Sequence, residues 1–179
     1  MVAHDPSLAH VTSVTAMSSR QRILAVPLRW LAHVVSVPVY YLYAALVRVV
    51  NTRNHCRPLE PAVMALMGPF FPQLDLATVR VVHPARIPSA QPSTSGLTLG
   101  SVVYMQREPV ATNPAGMCLL LHELVHVDQC RRLGRAGFAR RYGLGFATTL
   151  SYRDNPLEQE AFGYERDRRG ELLSRLGTP

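Results

Sequence analysis

The sequence predicts an α+β fold in which a small sheet packs on a long buried helix. Leu76 to His83 and Leu97 to Met105 have the β-branched content of strands, a capped helix follows them, and another helix begins at Asn155. We expect this second helix to carry a functional glutamate, and we expect a hydrophobic helical segment to precede the sheet. With 179 residues, 47% of them hydrophobic, the chain is long enough to bury a core and too apolar to be disordered.

Charge and cysteine content exclude some classes of protein. All 19 basic residues are arginine, against 12 acidic residues, so the formal net charge is +7. This balance permits a membrane surface or a nucleic acid as partner without requiring either, and we do not expect nucleic acid. Three cysteines without Cys-x-x-Cys spacing exclude both a disulfide framework and a cysteine zinc cluster. The oligomeric state stays open.

Composition divides the chain into three parts. We predict a flexible tail over residues 1–19, hydrophobic helices over 20–51 that either associate with a membrane or pack on the domain, and a domain over 52–179.

The hydrophobic segment has two interpretations. Trp30 to Val47 is just long enough to span a bilayer, and His33 is the one residue in it that titrates near neutral pH. Pro27 and Pro38 interrupt a single helix, so the alternative is a pair of helices, broken near Pro38, that packs on the domain. We favour membrane association, with a cytoplasmic location otherwise.

The elements of the domain follow in order. Ala62 to Met67 is predicted to form one or two helical turns. Each strand candidate is predicted as one strand, with the proline-rich stretch Pro84 to Gly96 as a loop between them. Gly100, inside the second candidate, indicates a bulge or a close backbone approach.

The long helix is predicted to begin at Pro114, with Asn113 as N-cap, and to end at Gly134. Residues 117–127 are apolar on every side of this helix except at three positions, and an all-round apolar helix is a buried one. Burying imidazole and carboxylate groups is costly unless they have partners. The three exceptions are His122, Glu123 and His126.

These residues form a His-Glu-x-x-His motif. His122 and His126 lie on one helical face, about 6 Å apart along the axis, so both imidazoles can reach one tetrahedral zinc ion. Glu123 is offset from that face and can act as general base on a metal-bound water. The alternative is that both histidines are hydrogen-bonded core residues and that Glu123 pairs with an arginine. The buried, capped helix favours the metal site.

A catalytic zinc ion has three protein ligands, and no histidine follows His126, so we expect a carboxylate from the last helix. Helical phase places Glu158 and Glu165 on the core face and Glu160 on the opposite face. We favour Glu158 as the ligand, and its alternative role is a capping box with Asn155. Glu165 is expected to pair with an arginine or to hold a ligand histidine.

Six further residues are candidates with less specific signals. Asp128 and Gln129 either orient a ligand histidine or face solvent. Tyr152 and Tyr164 are candidates for stabilising an oxyanion, with ordinary packing as the alternative. Cys118 and Cys130 lie one turn on either side of the histidine pair, and packing is the interpretation that we favour for both.

The segments HELVHVDQ and NPLEQEA resemble the zincin superfamily, specifically its glutamate-zincin branch. The VRVVH and LTLGSVVYM segments are similar in layout to small bacterial metallopeptidase-like domains, including the kind found with contractile injection systems. The resemblance covers residues of about 70–170. It implies that His122, His126 and Glu158 bind Zn²⁺, that Glu123 is the catalytic base, and that the strand through Val102–Met105 is the edge on which an extended peptide lies. The aspartate that often follows Glu-x-x-Ala in that branch is Phe162 here.

The sequence therefore predicts a zincin-like metallopeptidase that hydrolyses peptide bonds in a peptide or protein substrate. Two alternatives stay open. The first is an inactive zincin-fold binding or scaffold module at a membrane, with Cys118 closing a structural zinc site. The second is an anion-binding protein that uses the arginine cluster between Arg131 and Arg141.

Overall fold

The computed structural model describes residues 19–88 and 94–177, without the side chains of 19–29 and 33. Residues 1–18, in the predicted tail, lie outside this range. The fold is α+β, as predicted. The helices are α1 (Ser19–Val50), α2 (Pro61–Met67), α3 (Pro114–Thr149) and α4 (Pro156–Arg175), with short 3-10 turns at Gly68–Phe70 and Leu76–Thr78. The strands are β1 (Cys56–Pro58), β2 (Arg80–Val82), β3 (Gly96–Leu99) and β4 (Val102–Met105).

The strands form one mixed sheet in the order β1-β2-β4-β3. β2 and β4 are parallel, whereas β1 pairs with β2, and β3 with β4, in antiparallel fashion. The prediction of one strand over Leu97 to Met105 was wrong, because Gly100 has a φ of 70° and turns the chain at Gly100–Ser101 into a hairpin. The prediction that Val102–Met105 is an edge was therefore also wrong: β4 is an inner strand, and β3 is the edge.

The two faces of the sheet bury different partners. Val103 and Met105 join the core that residues 114–133 of α3 form on one face, together with Leu120 and Leu124. On the other face, α1 supplies Ala44 and Val47, which pack against Val82, Leu99 and Tyr104. The alternation of side chains along β4 explains how one short strand serves both layers.

The last part of α1 is tied to the domain by hydrogen bonds as well. Asn51 is buried and its Nδ2 donates to the Arg86 carbonyl at 2.7 Å, and the Tyr43 hydroxyl donates to the Pro88 carbonyl at 2.8 Å. The segment predicted over 20–51 thus packs, through its C-terminal half, on the domain predicted over 52–179. The break near Pro38 that belonged to the alternative interpretation is not formed, since α1 is continuous from Ser19 to Val50.

The outer face of α1 remains apolar and exposed. Trp30 is 69% exposed and Leu42 is 72% exposed, and Leu46 and Val49 are exposed too. Among the described residues, Trp30–Val50 is the one segment long and apolar enough to cross a membrane, with a mean hydropathy of 1.5 and 12% of it buried.

The helix α3 is divided at Gly134, the residue predicted to end it. Gly134 has φ 67° and ψ 157°, a conformation outside the helical region that glycine adopts without strain. Residues 114–133 carry the His-Glu-x-x-His motif. Residues 135–149 form a second helical stretch, and the chain then leads into α4, which packs along α3.

Candidate metal centre

Three predicted ligand residues meet at one point between α3 and α4. His122, His126 and Glu158 are all buried, and their candidate ligand atoms lie within 4.8 Å of one another. Glu158 Oε2 is 3.3 Å from His122 Nε2 and 3.4 Å from His126 Nε2. The i, i+4 spacing in α3 brings the imidazoles together, and the first turn of α4 brings the carboxylate.

The start of α4 is fixed by its N-cap. Asn155 is fully buried, its Oδ1 accepts from the Leu157 amide at 3.1 Å, and its Nδ2 donates to the Tyr142 carbonyl at 2.9 Å. The capping-box alternative for Glu158 is not formed, because the Asn155 amide donates instead to the Tyr152 carbonyl and the Glu158 carboxylate faces the histidines. One amide side chain thus joins α4 to the second stretch of α3 next to the cluster.

Gln129 holds the second histidine of the motif. Its Oε1 lies 2.8 Å from His126 Nδ1, and its Nε2 donates to the Leu157 carbonyl at 2.9 Å. Because the amide oxygen accepts a hydrogen bond from the protonated Nδ1, the other ring nitrogen, His126 Nε2, is left to face Glu158. Of the two interpretations of Gln129, the structure matches the one in which it orients a histidine.

Glu165 contacts both partners that the sequence allowed. Its Oε2 is 3.6 Å from His122 Nδ1, and its Oε1 accepts from Arg169 at 3.2 Å. Phe162, at the position where the similar family often has aspartate, packs against His122 with ring centroids 4.7 Å apart and the rings tilted by 54°.

Tyr142 was missed by the sequence analysis. Its hydroxyl donates to Glu158 Oε1 at 2.7 Å, so Glu158 is held by one oxygen and faces the histidines with the other. No short-range spacing links Tyr142 to the motif. The sequence does place two aromatic residues, Phe138 and Tyr142, one helical turn apart. In the structure their rings pack together on one face of the second stretch of α3, with centroids 5.6 Å apart.

The donor set suits a metal ion. Glu158 Oε2, which faces both histidines, is buried and has no hydrogen-bond partner in the described part of the chain. Tetrahedral ligand atoms at about 2.0–2.1 Å from zinc are roughly 3.3–3.4 Å apart, close to the separations of Glu158 Oε2 from the two Nε2 atoms. Two imidazole nitrogens and one carboxylate oxygen are also a ligand set that zinc accepts.

The cluster also changes the acidity of its members. Burial opposes the charged form of Glu158, but His122 and His126 beside it outweigh burial and hold its pKa far below the usual range. Burial likewise lowers the pKa of His122, yet Glu158 and Glu165 raise it to about 9 overall. The metal-free cluster therefore holds a carboxylate and at least one protonated imidazole at neutral pH.

Glu123 lies beside the cluster rather than in it. Its Oε2 accepts from Thr98 Oγ1, on the edge strand β3, at 2.7 Å. A side chain at Gly96 would overlap Glu123 Oε1, so the glycine on the same strand leaves room for the carboxylate. Burial raises the pKa of Glu123, and the two histidines oppose that rise.

A cleft passes over Glu123 and opens on two sides. One side, of about 820 Å³, is lined by His122 and by three arginines: Arg107, Arg153 and Arg169. The other, of about 560 Å³, reaches His126 and Glu158. Tyr152 lines both sides.

Of the remaining candidate residues, Cys118 lies at the site, whereas Tyr164 and Cys130 lie outside it. Tyr164 donates its hydroxyl to the Phe70 carbonyl and packs against Phe71, which takes it out of the site. Cys118 lines the cleft next to His122 but is not one of the clustered donors, and burial raises the pKa of its thiol. Cys130 is buried with Phe138 and Leu157, in the packing role that was predicted.

Arg131 and Arg132, the first two arginines of the cluster between Arg131 and Arg141, form ion pairs with acidic side chains. Arg131 bonds Asp128 at 2.9 Å, and Arg132 bonds both Asp128, at 2.7 Å, and Glu160, at 2.5 Å. These contacts reduce the positive field that an anion-binding surface would need.

Fold and site together define an α+β protein with a buried His-His-Glu cluster able to hold a metal ion. A family model described as the eCIS core domain, from extracellular contractile injection systems, matches residues 58–134. This range includes the motif residues of α3 and ends before Glu158, so the third donor is identified by the structure rather than by the match. No curated protein and no solved structure matches the chain.

Proposed function

We propose that the protein is a zinc-dependent peptidase. The observation that carries the proposal is the convergence of His122, His126 and Glu158 at ligand separations, with the Glu123 carboxylate buried beside them. The match to the eCIS core domain supports a metallopeptidase-like role. His122, His126 and Glu158 would hold the ion.

Zinc bound at such a site lowers the pKa of a water molecule and polarises a carbonyl group. Glu123 accepts the proton of the attacking water and delivers it to the leaving amine. Thr98 fixes one oxygen of Glu123, which leaves the other for the proton transfer. Burial raises the pKa of Glu123 and so makes it a better base near neutral pH. The Tyr152 hydroxyl, in the same cleft, donates to the developing oxyanion.

The substrate lies extended along β3. Within the described residues β4 is the one strand that pairs with β3, and the peptide strand would pair with the opposite edge of β3. Thr98 belongs to β3 and bonds Glu123, so a peptide paired with this edge passes directly over the catalytic base.

Zinc content and turnover of the full chain test this proposal together. Glu158→Ala is expected to lose zinc, whereas Glu160→Ala, which removes only an exposed partner of Arg132, is expected to keep one zinc per chain. Glu123→Gln is expected to keep zinc and the fold but to lose peptide hydrolysis, measured by mass spectrometry on a peptide library.

Three results would contradict the proposal. A folded wild-type chain that takes up no zinc when zinc is supplied would make the histidines core residues. Full hydrolysis by Glu123→Gln would remove its role as base. Zinc binding without turnover of any peptide would instead favour the inactive binding module.

We also propose that α1 attaches the protein to a membrane by its outer face. Its inner face is occupied by the sheet, which favours a helix lying in the interface over one crossing the bilayer. Arg48 in its last turn and Arg53 just after its end suit anionic lipid headgroups. The test is co-flotation of the full chain with phosphatidylserine vesicles. Binding should be lost in Leu42→Glu and kept in Leu150→Glu, and equal flotation of both variants would refute attachment through α1.

A further inference from the structure

A cavity of about 560 Å³ lies between α1, β3 and the second stretch of α3. Its walls are mostly apolar, and its inner end is formed by Glu123, His126 and Glu158. Apolar side chains come from all three elements: Val35 and Val39 from α1, Leu97 from β3, and Phe138 and Ala139 from α3. This cavity, called the chamber below, is therefore apolar along its walls and ends at the candidate metal centre.

The wall that α1 contributes has a fixed position. Ser36 approaches Gly143 so closely that any side chain at Gly143 would overlap the serine. One turn further along α1, the ring of Tyr40 meets the edge of Phe138 with centroids 6.2 Å apart. Because a glycine is needed for this approach, the chamber is a built feature of the helix packing rather than a loose groove.

The two sides of the cleft differ in chemistry. Both are lined by Gly96, Glu123 and Tyr152, so they are halves of one passage over the candidate base. The arginine-lined half is open to charged groups. The chamber under α1 has no arginine among the described residues that line it and its walls are mostly apolar, so it favours an apolar side chain over an acidic one.

We infer that the site selects peptides with a large apolar side chain, of the phenylalanine or leucine class, next to the bond that is cleaved, and that α1 determines this preference. The inference rests on the proposed peptidase function. The volume of the chamber lies in the range of ligand-binding pockets and is large enough for an aromatic side chain. An aromatic side chain gains most from such a chamber, because it removes a large apolar surface from water.

The experiment uses two fluorescein-labelled peptides of identical Ala-Gly-Ser background, one with a central phenylalanine and one with alanine. Val39→Trp and Ala139→Leu narrow the chamber from opposite walls, so one of them suffices if the other does not fold. Leu42→Trp is the matched control, because Leu42 is 72% exposed on α1 and does not line the chamber.

Peptide binding is measured first, by fluorescence anisotropy. Every protein tested is the zinc-loaded full chain that also carries Glu123→Gln, so that the peptides are bound but not cleaved. We expect the phenylalanine peptide to bind at least about tenfold more tightly than the alanine peptide. Val39→Trp or Ala139→Leu should reduce this ratio at least about fivefold, and Leu42→Trp should leave it unchanged. Equal binding of the two peptides, or no binding of either, would overturn the inference.

The ratio of kcat/KM for the two peptides separates this inference from the peptidase proposal. Cleavage of both at equal kcat/KM would refute the apolar preference and leave the peptidase standing. Selective binding without cleavage by the wild-type chain would refute the peptidase and leave the apolar site. A loss of preference in Leu42→Trp as large as in the chamber variants would remove the assigned role of α1.

Discussion

The hydroxyl of Tyr142 offers a sharp test of how the centre is held. It donates to Glu158 Oε1 at 2.7 Å, while Glu158 Oε2 faces both histidines. Burial and then the Glu158 carboxylate raise the pKa of Tyr142, so the hydroxyl keeps its proton and remains a donor. Tyr142→Phe removes this donor and retains the ring that stacks on Phe138.

The expected effect follows from the charge of the acceptor. A hydrogen bond to a charged group contributes about 1.5–3 kcal/mol, and every 1.4 kcal/mol is about tenfold in an equilibrium constant. If the bond acts fully on the metal-bound state, Tyr142→Phe should weaken zinc binding by roughly 10–140-fold. Losses of about 10–100-fold are typical when a group that orients a metal ligand is removed. We therefore expect the zinc Kd to rise by one to two orders of magnitude.

The assay is competition for zinc between the full chain and a fluorescent chelator of known affinity. Tyr164→Phe is the control, because that hydroxyl donates to the Phe70 carbonyl, outside the site. A zinc Kd for Tyr142→Phe within twofold of the wild-type value, with both proteins folded by circular dichroism, would show that the bond does not hold the ligand.

Three further predictions follow from the same contacts. His122 in the metal-free protein has a pKa of about 9 and is therefore protonated at pH 7. Zinc binding should release about one proton from His122, and zinc affinity should weaken as the pH falls below 9. The proton release is measured with a pH indicator dye, and detecting none would contradict this prediction. Asn155→Ala removes the N-cap of α4 and a buried hydrogen bond to the Tyr142 carbonyl. The free energy of unfolding, measured by urea titration, should fall by about 2–4 kcal/mol, and a change below about 0.5 kcal/mol would be inconsistent with the capping role of Asn155. Gly96→Ala should displace the Glu123 carboxylate and lower kcat at least about tenfold, with zinc content unchanged. Gly68→Ala is the control, because a side chain at Gly68 meets nothing within 4 Å and kcat should not change. Equal kcat values for the two variants would argue against the close approach of Gly96 to Glu123.

The parts of the site that the sequence predicted are those set by local spacing. The positions of His122 and His126 on one face depend only on the helical repeat. The caps at Asn113 and Asn155 depend on residue type just before a proline that starts a helix, and both side chains accept from main-chain amides as expected. Glu158 followed from helical phase within one predicted helix.

The parts that were missed depend on contacts between distant segments. Thr98 reaches Glu123 across 25 positions of sequence, and nothing in its neighbours distinguishes it from any strand threonine. Tyr142 reaches Glu158 only because the chain turns at Gly134 and returns along α4. The hairpin at Gly100 was read as one strand because β-branched residues continue on both sides of the turn.

Hydropathy alone was unable to separate the two interpretations of the N-terminal segment. A helix that covers a sheet on one side and is exposed on the other has the same composition as one that meets lipid all round. The distinction depends on which residues face the sheet. Ala44 and Val47 do, and Leu42 does not. One apolar helix therefore contributes to the core, to the cavity beside the candidate metal centre and to an exposed apolar surface.

The energetics of the cluster explain why these residues are better understood as a binding site than as part of the core. Burying ionised groups costs several kcal/mol each, and replacing such a pair by hydrophobic residues is often neutral or stabilising. Within the described residues, Glu158 Oε2 gains no hydrogen bond that would offset its burial. All the neighbouring bonds, from Gln129 and Tyr142, hold the remaining atoms of the donors in place. An arrangement that orients its donors and leaves the Glu158 oxygen between both histidines without a hydrogen bond is physically reasonable when a cation occupies the point where the donors converge.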